Sequence, residues 1–298
     1  MIDAVVATRD SRELVLECVE QLRSPLLDRV IVVDNGSVDG TAEALRMARP
    51  EVRVVSVGRP EGLSYAYNRG GEAGAAELIL FLNDDVLATE EAIGALAGAL
   101  TADRGAAAAA GRLVDPQDGS TQIEYQPRRF PTLSSFVAMF AGLERLWPRN
   151  PITGRHRRRP LDEKTTVPVD YAPGACLLVR RADFEAVGGW DERFEFWFED
   201  VDLERRLAER GRVLYVPTAP FAHVGGHSAR RLSRAELVAR HYRGALAYGD
   251  KHFGRARRMG LGLLFGAVAG VRILTSHRDP AQADAYRAVA RSAIGLLR

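Results

Sequence analysis

Lysine is almost missing from this chain: Lys164 and Lys251 are the only two among 41 basic residues, so arginine carries the positive charge. Arginine's planar fork suits phosphate and carboxylate, although a GC-rich genome would leave the same bias. Cysteine is nearly as scarce. Cys18 and Cys176 form no CxxC and no disulfide framework, which fits a reducing compartment. Cys18 shares an apolar helical face with Leu14 and Leu22, the setting of a core thiol. Net charge is only +2, so nothing in the whole-molecule field calls for nucleic acid. No stretch of about 18 uninterrupted apolar residues is present, which argues against a spanning helix. Met1-Ile2-Asp3-Ala4-Val5-Val6 enters a strand with no basic segment and apolar leader before it, so an unexported, cytoplasmic protein is expected. The first strand is not followed by GxGxxG, which removes the dinucleotide fingerprint. No internal repeat or low-complexity tract is evident.

What remains is an ordinary globular composition, 46% hydrophobic and 27% charged over 298 residues, enough for one large or two small domains. Strand-like runs at Ala4–Thr8, Val30–Val33, Val52–Val57 and Glu77–Leu82 alternate with helix-like ones. The latter begin after Ser11, read as a cap, and at Thr41 and Gly62. That order predicts an α/β fold with a mostly parallel sheet flanked by helices. Its centre is Leu78-Ile79-Leu80-Phe81-Leu82-Asn83-Asp84-Asp85, five large apolar residues ending in an amide and two carboxylates. An open parallel sheet places its ligands at the C-terminal strand ends. Adjacent acids there suit Mg²⁺ or Mn²⁺ arriving with a substrate's phosphates, or they are surplus acids at a helix cap. The loop Asp34-Asn35-Gly36-Ser37-Val38-Asp39-Gly40-Thr41 follows the second strand. Asp34 there can accept hydrogen bonds from a nucleobase imide or a ribose, where a plain turn would explain only the glycines.

A second constellation lies downstream. Phe194-Glu195-Phe196-Trp197-Phe198 puts four aromatics immediately before Glu199-Asp200, and apolar spacing at Val201, Leu203 and Leu207 makes those acids the first turn of a helix. Aromatic walls offer a platform for sugar rings, and a carboxylate beside them can act as a base toward an alcohol. Phe221-Ala222-His223-Val224-Gly225-Gly226-His227-Ser228 follows another strand. Arginines at 149, 155, 157, 158 and 159 read as a loop, either solvated or touching a phosphate-bearing acceptor or anionic membrane. From Arg230 to Arg258 nine basic residues face two acids, and a mostly apolar segment, Gly260 to Leu274, follows. Such a tail suits a helix in an anionic membrane interface, or packing on the domain or in a homodimer.

Val32-Val33-Asp34-Asn35-Gly36-Ser37 through Gly40-Thr41, then Phe81-Leu82-Asn83-Asp84-Asp85, resemble the nucleotide-sugar half of glycosyltransferase family 2 enzymes with the GT-A fold. Glu199-Asp200 and the loop from His223 resemble that family's "ED" base and "HxGG" elements. The resemblance implies Thr8, Arg9, Asp34, Asn83 and Asp84 at the donor, Asp85 and His223 on the metal, and Asp200 as catalytic base supported by Glu199. It also implies Tyr171, Trp190 and Trp197 at the acceptor. Asn83 departs from a strict DxD and is common in the rhamnosyltransferase-like branch, and the absence of QxxRW separates the chain from processive synthases. The organisation expected is a nucleotide-sugar half over 1–115, an acceptor half over 116–230 and a basic helical extension over 231–298. The expected activity is inverting, metal-dependent transfer of a sugar, rhamnose on dTDP being the first choice. It would pass from a nucleoside-diphosphate donor to a glycan or lipid-linked hydroxyl in cell-envelope polysaccharide assembly. A sugar-1-phosphate nucleotidyltransferase and a silent nucleotide-sugar-binding protein are the alternatives, and the segment Arg9-Asp10-Ser11-Arg12 lacks the glycines of the first.

Overall fold

The computed structural model describes residues 1–140, 142, 146–147, 150–156, 162, 164–226, 230–276 and 279–297. They divide into two compact units. The first comprises 1–128, 160–192 and 199–225; the second comprises 129–159, 193–198 and 226–298.

The first unit is built on a nine-stranded sheet. Strands β1 (Ile2–Thr8), β2 (Leu27–Asn35), β3 (Arg53–Val57) and β4 (Leu78–Asn83) run parallel in the order β3-β2-β1-β4. Helices α1 (Arg12–Gln21), α2 (Thr41–Ala48) and α3 (Leu63–Glu72) connect them, and α4 (Glu90–Ala102) follows β5 (Val86–Leu87). Beyond β4 the sheet is mixed. β8 (Cys176–Arg180) is antiparallel to β4 and to β6 (Ala106–Val114), and β6 runs parallel to β9 (Arg212–His223). β5 and β7 (Val167–Val169) each pair antiparallel with β9. Every residue of β1 is buried, as expected of a central parallel strand with both faces covered.

Hydrophobic layers lie on both sides of this sheet. Val6, Cys18, Val32, Leu80 and Leu82 belong to one; Val5, Ile31, Phe81, Leu177 and Trp190 belong to the other. Period-two alternation along the strands sends successive side chains to opposite layers. Gly70 in α3 is required by this packing, since a Cβ there would lie 2.2 Å from the Val5 side chain. Both thiols are fully buried, and burial raises their pKa values, as a core role demands. Ser11 does not cap α1 through its side chain. Its hydroxyl donates to the Arg9 carbonyl instead.

The second unit contains helices Leu133–Phe140, Pro151–His156, Arg234–His252, Arg255–Thr275 and Pro280–Gly295. Its centre is aromatic: Phe136 packs within 6.2 Å, centroid to centroid, of Phe140, Phe198, Tyr248, Phe253 and Phe265. Ser233 and Glu236 form a reciprocal capping box that starts the long Arg234–His252 helix. The arginine run expected as a loop begins inside the Pro151–His156 helix, while Arg149 and Arg157–Arg159 lie outside the described residues. Helix Arg255–Thr275 is long and apolar enough, by length and composition, to cross a membrane, although Arg258 and Arg272 interrupt its apolar run.

Candidate active site

Parallel registration brings the donor-side residues to one sheet edge. Thr8 stands opposite Asp34, and Ala7 opposite Asn83, so the ends of β1, β2 and β4 are level. The Thr8 hydroxyl donates to Asp84 Oδ2 at 2.7 Å, and both residues are buried. The loops after β1 and β2 are stitched together. Asp10 N–H donates to Ser37 Oγ, Val38 N–H to Asp10 Oδ1, and Arg12 N–H to Asp39 Oδ2. Asp34 accepts from Ser37 N–H at 3.2 Å, and Asn35 exchanges two hydrogen bonds with the Glu61 backbone. Gly36 has φ +72° and no room for a Cβ, which would lie 2.7 Å from Arg59 and Pro60 backbone atoms. Arg9 is exposed, 3.5 Å from Asp10.

The strand-end acids meet His223 through the short β5 pairing. Val86 stands opposite His223, and Val224 N–H donates to the Asp85 carbonyl. The Gln122 amide nitrogen donates to the His223 carbonyl at 2.7 Å, turning the amide oxygen toward Nδ1 at 2.9 Å. Nδ1 therefore carries the proton of the neutral imidazole, and burial lowers the His223 pKa to about 4. Its Nε2 presents a lone pair to Asp85 Oδ1, 3.5 Å away. Two electron-pair donors at that separation suit a shared cation, so the residues fit the divalent ion that the chemistry calls for. Among the described residues no group of three or more His, Cys, Asp or Glu could hold a metal. The protein would thus supply two ligands, leaving the remainder to phosphate oxygens and water. Gly225, at φ +72°, keeps this corner open: a Cβ would come 3.3 Å from the Tyr125 hydroxyl and 3.4 Å from the imidazole.

The third group of acids opens helix Glu199–Leu207. Asp200 Oδ2 accepts from Gly174 N–H at 3.1 Å and Oδ1 from Val201 N–H at 2.7 Å. Gly174 must be glycine, because a Cβ would sit 2.8 Å from that of Asp200. One turn further on, fully buried Glu204 accepts from Ala172 N–H at 2.9 Å, pinning the same turn from below. Burial raises the Asp200 pKa, while the Gly174 and Val201 N–H groups and the Arg128 guanidinium act the other way. Burial, and then the charge of Asp200, push Glu199 up to about 8. Glu199 Oε2 has no hydrogen-bond partner among the described residues. Burial and the adjacent like charge therefore both favour the protonated form of Glu199. Buried Asp202 is spent on Arg206, which grips it through two nitrogens at 2.7 and 2.9 Å.

Tyr67 reaches the end of β4 from α3. Its hydroxyl donates to Asn83 Oδ1 at 3.0 Å. Burial, followed by the charges of Asp84, Glu199 and Asp85, holds that hydroxyl well above the ordinary tyrosine value. The phenol therefore stays protonated and serves as a donor to Asn83.

The acceptor residues divide. Trp190 is 2% exposed, its ring packed 5.0 Å from Tyr67 and 5.3 Å from Phe81. Asn68 clamps its backbone from both sides, donating to Trp190 O and accepting from Trp190 N–H. Tyr171 is buried, and its backbone pairs in both directions with that of Arg128. Trp197 belongs to the second unit, stacked between Phe196 and His241. Trp197 and Phe198 both have φ +69°, a sparsely populated conformation that costs on the order of 1–3 kcal/mol each. Gly244 accommodates the bend, since a Cβ there would lie 2.7 Å from the Trp197 carbonyl. His227 lies outside the described residues. Tyr67, Gln122, Arg128, Gly174 and Glu204 were not singled out by the sequence; only Gly174, in a Pro-Gly turn before a strand, carried a local signal.

A family model described as "Glycosyl transferase family 2" matches residues 3–188. An N-acetylglucosaminyl-diphospho-decaprenol L-rhamnosyltransferase of Mycobacterium tuberculosis is 37% identical over 238 residues, 76% of each chain. Rhamnosyltransferase WbbL of Escherichia coli is 32% identical over 110 residues, 36% of this chain and 38% of its own. Among solved structures, residues 1–349 of Staphylococcus aureus TarS in complex with UDP-GlcNAc superpose with a TM-score of 0.54 at 12% identity, over 99% of this chain and 91% of that fragment. GalNAc-T7 with UDP, GalNAc and Mn²⁺ gives 0.55 at 15% identity, over 75% of this chain and 43% of its own. These likenesses extend the GT-A fold to this chain.

Proposed function

This chain belongs to glycosyl transferase family 2 and is a glycosyltransferase, and from that premise we propose an inverting rhamnosyltransferase acting on a lipid-linked N-acetylglucosaminyl diphosphate. The donor would be a nucleoside-diphosphate rhamnose, with dTDP as the first choice, and the product an intermediate of cell-envelope polysaccharide made at the cytoplasmic side. The observation that carries the mechanism is the Asp200 carboxylate, held in the first turn of its helix by the Gly174 and Val201 N–H groups.

Thr8 and Asp34, level at the strand ends, hold the nucleoside, with exposed Arg9 at the rim. Asp84 is oriented by Thr8, and Asn83 by Tyr67. Asp85 and His223 would hold Mg²⁺ or Mn²⁺, whose chemistry there is to offset negative charge on the diphosphate. Each Asp200 oxygen accepts one backbone N–H and keeps capacity for another bond, so the carboxylate can receive the acceptor's hydroxyl. As that oxygen attacks the anomeric carbon, its proton passes to Asp200. The bond from carbon to diphosphate oxygen breaks, and its electron pair leaves with the diphosphate. Attack opposite the leaving group inverts the centre. Glu199 keeps its proton throughout, so Asp200 need not carry a second charge beside it.

The test separates binding from chemistry. Asp200→Asn is expected to bind dTDP-rhamnose with unchanged affinity and to lose turnover, whereas Asp85→Ala loses Mn²⁺-dependent donor affinity. Normal donor affinity in Asp85→Ala would remove the metal role.

A further inference from the structure

We infer that helix Arg255–Thr275 lies flat in an anionic lipid surface, with one apolar face in the bilayer and the other packed on its own unit. Leu261, Phe265 and Ala269 are fully buried and share one side of this helix. Gly262 lies against the last helix, where a Cβ would meet the Ala293 carbonyl at 2.7 Å. The opposite side carries Met259, Leu263, Ala267, Gly270, Val271 and Leu274, all exposed and within an arc of about 120° at 3.6 residues per turn. Leu263, Val271 and Leu274 are 63%, 62% and 78% exposed. At 1.5 Å per residue the stripe runs for roughly 23 Å, longer than scattered surface hydrophobics require.

Crossing would carry the packed Pro280–Gly295 helix, with Asp284, Arg287 and Arg291, into the hydrocarbon core, which is costly. An in-plane position satisfies both faces. The charges choose the surface. Arg255 and Arg257 are exposed in the first turn and fall on either flank of the stripe. The helix contains no acid, and its N-cap, Gly254, makes no side-chain cap bond. Cations at the positive end of a helix dipole are unfavourable in water, and phosphate headgroups would offset them. Pairing two copies in parallel through the stripe would bring Arg255 and Arg257 of one against those of the other, which disfavours that dimer.

The inference goes beyond the proposed reaction, and vesicle binding is measured apart from turnover, so either reading can fail alone. The full-length protein is sedimented with vesicles of phosphatidylcholine, with and without about 30% phosphatidylglycerol, a fraction set so that basic residues contribute measurably. Wild type is expected to pellet with the anionic vesicles, and less so as salt rises. Leu263→Glu/Val271→Glu/Leu274→Glu should weaken binding on the order of tenfold or more, whereas Met47→Glu, an exposed apolar residue of α2, should not. As a milder probe, Leu263→Trp should show added emission quenched by bromine-labelled acyl chains. Wild type remaining in the supernatant, equal pelleting of the triple variant, or unquenched emission would overturn the inference. So would a dimer in light scattering that the triple substitution abolishes, because the face would then belong to a second copy.

Discussion

Two sets of acids stand in the strand-rich unit, and they are held in opposite ways. The strand-end set is fixed by side chains arriving from distant segments: Thr8 on Asp84, Tyr67 on Asn83, and Gln122 orienting His223 toward Asp85. The helix set is fixed by backbone. Ala172 and Gly174 in one turn donate to Glu204 and Asp200, and the helix's own Val201 N–H completes the second. Side-chain cross-links orient lone pairs outward for a ligand. Backbone donors hold a carboxylate still while leaving its basicity to burial. On the proposed mechanism the first set binds and the second moves a proton.

That division is broken most directly at Asp200. Asp200→Asn should lower kcat by about 10²- to 10⁴-fold, the usual worth of a general base, with donor affinity retained. Gly174→Ala comes next. The added methyl meets Asp200 at 2.8 Å, and a displacement of about 1 Å is expected to cost on the order of 10² in kcat, again with little change in donor binding. Asp85→Ala acts on the other side: donor affinity in Mn²⁺, read by calorimetry, should drop about 10- to 100-fold. Glu199→Gln should be the mildest and sharpens the comparison through pH. Folding raises the Glu199 pKa from 4.5 to about 8, so the folded chain keeps a proton that the unfolded chain has lost. Stability from this group is therefore lost as pH rises through that window. A Tm series from about pH 5 to pH 8 should fall less steeply in Glu199→Gln than in wild type, with activity preserved.

Much of the strand-end set was legible. Five apolar residues in a row read as a buried strand, and acids at its end stand where a parallel sheet opens to ligand. Asp200 was legible as the first turn of an apolar-spaced helix. What stayed hidden depends on segments far apart in sequence. Gln122 acts on a histidine 101 residues away. Tyr67 reads only as a helical aromatic until β4 puts Asn83 beside it. The packing of Trp190 stayed hidden for the same reason: Asn68, 122 residues earlier, clamps its backbone, and its ring packs on Tyr67. Ser11 shows the local version of that failure: its hydroxyl found a carbonyl two residues back before any helix N–H.

The most direct test of the account is a single-turnover measurement with saturating dTDP-rhamnose, Mn²⁺ and a lipid-linked N-acetylglucosaminyl diphosphate, comparing wild type with Asp200→Asn. The account predicts equal donor occupancy and product formation slowed at least about 10²-fold in the variant. Product formed at a rate within about threefold of wild type would contradict it.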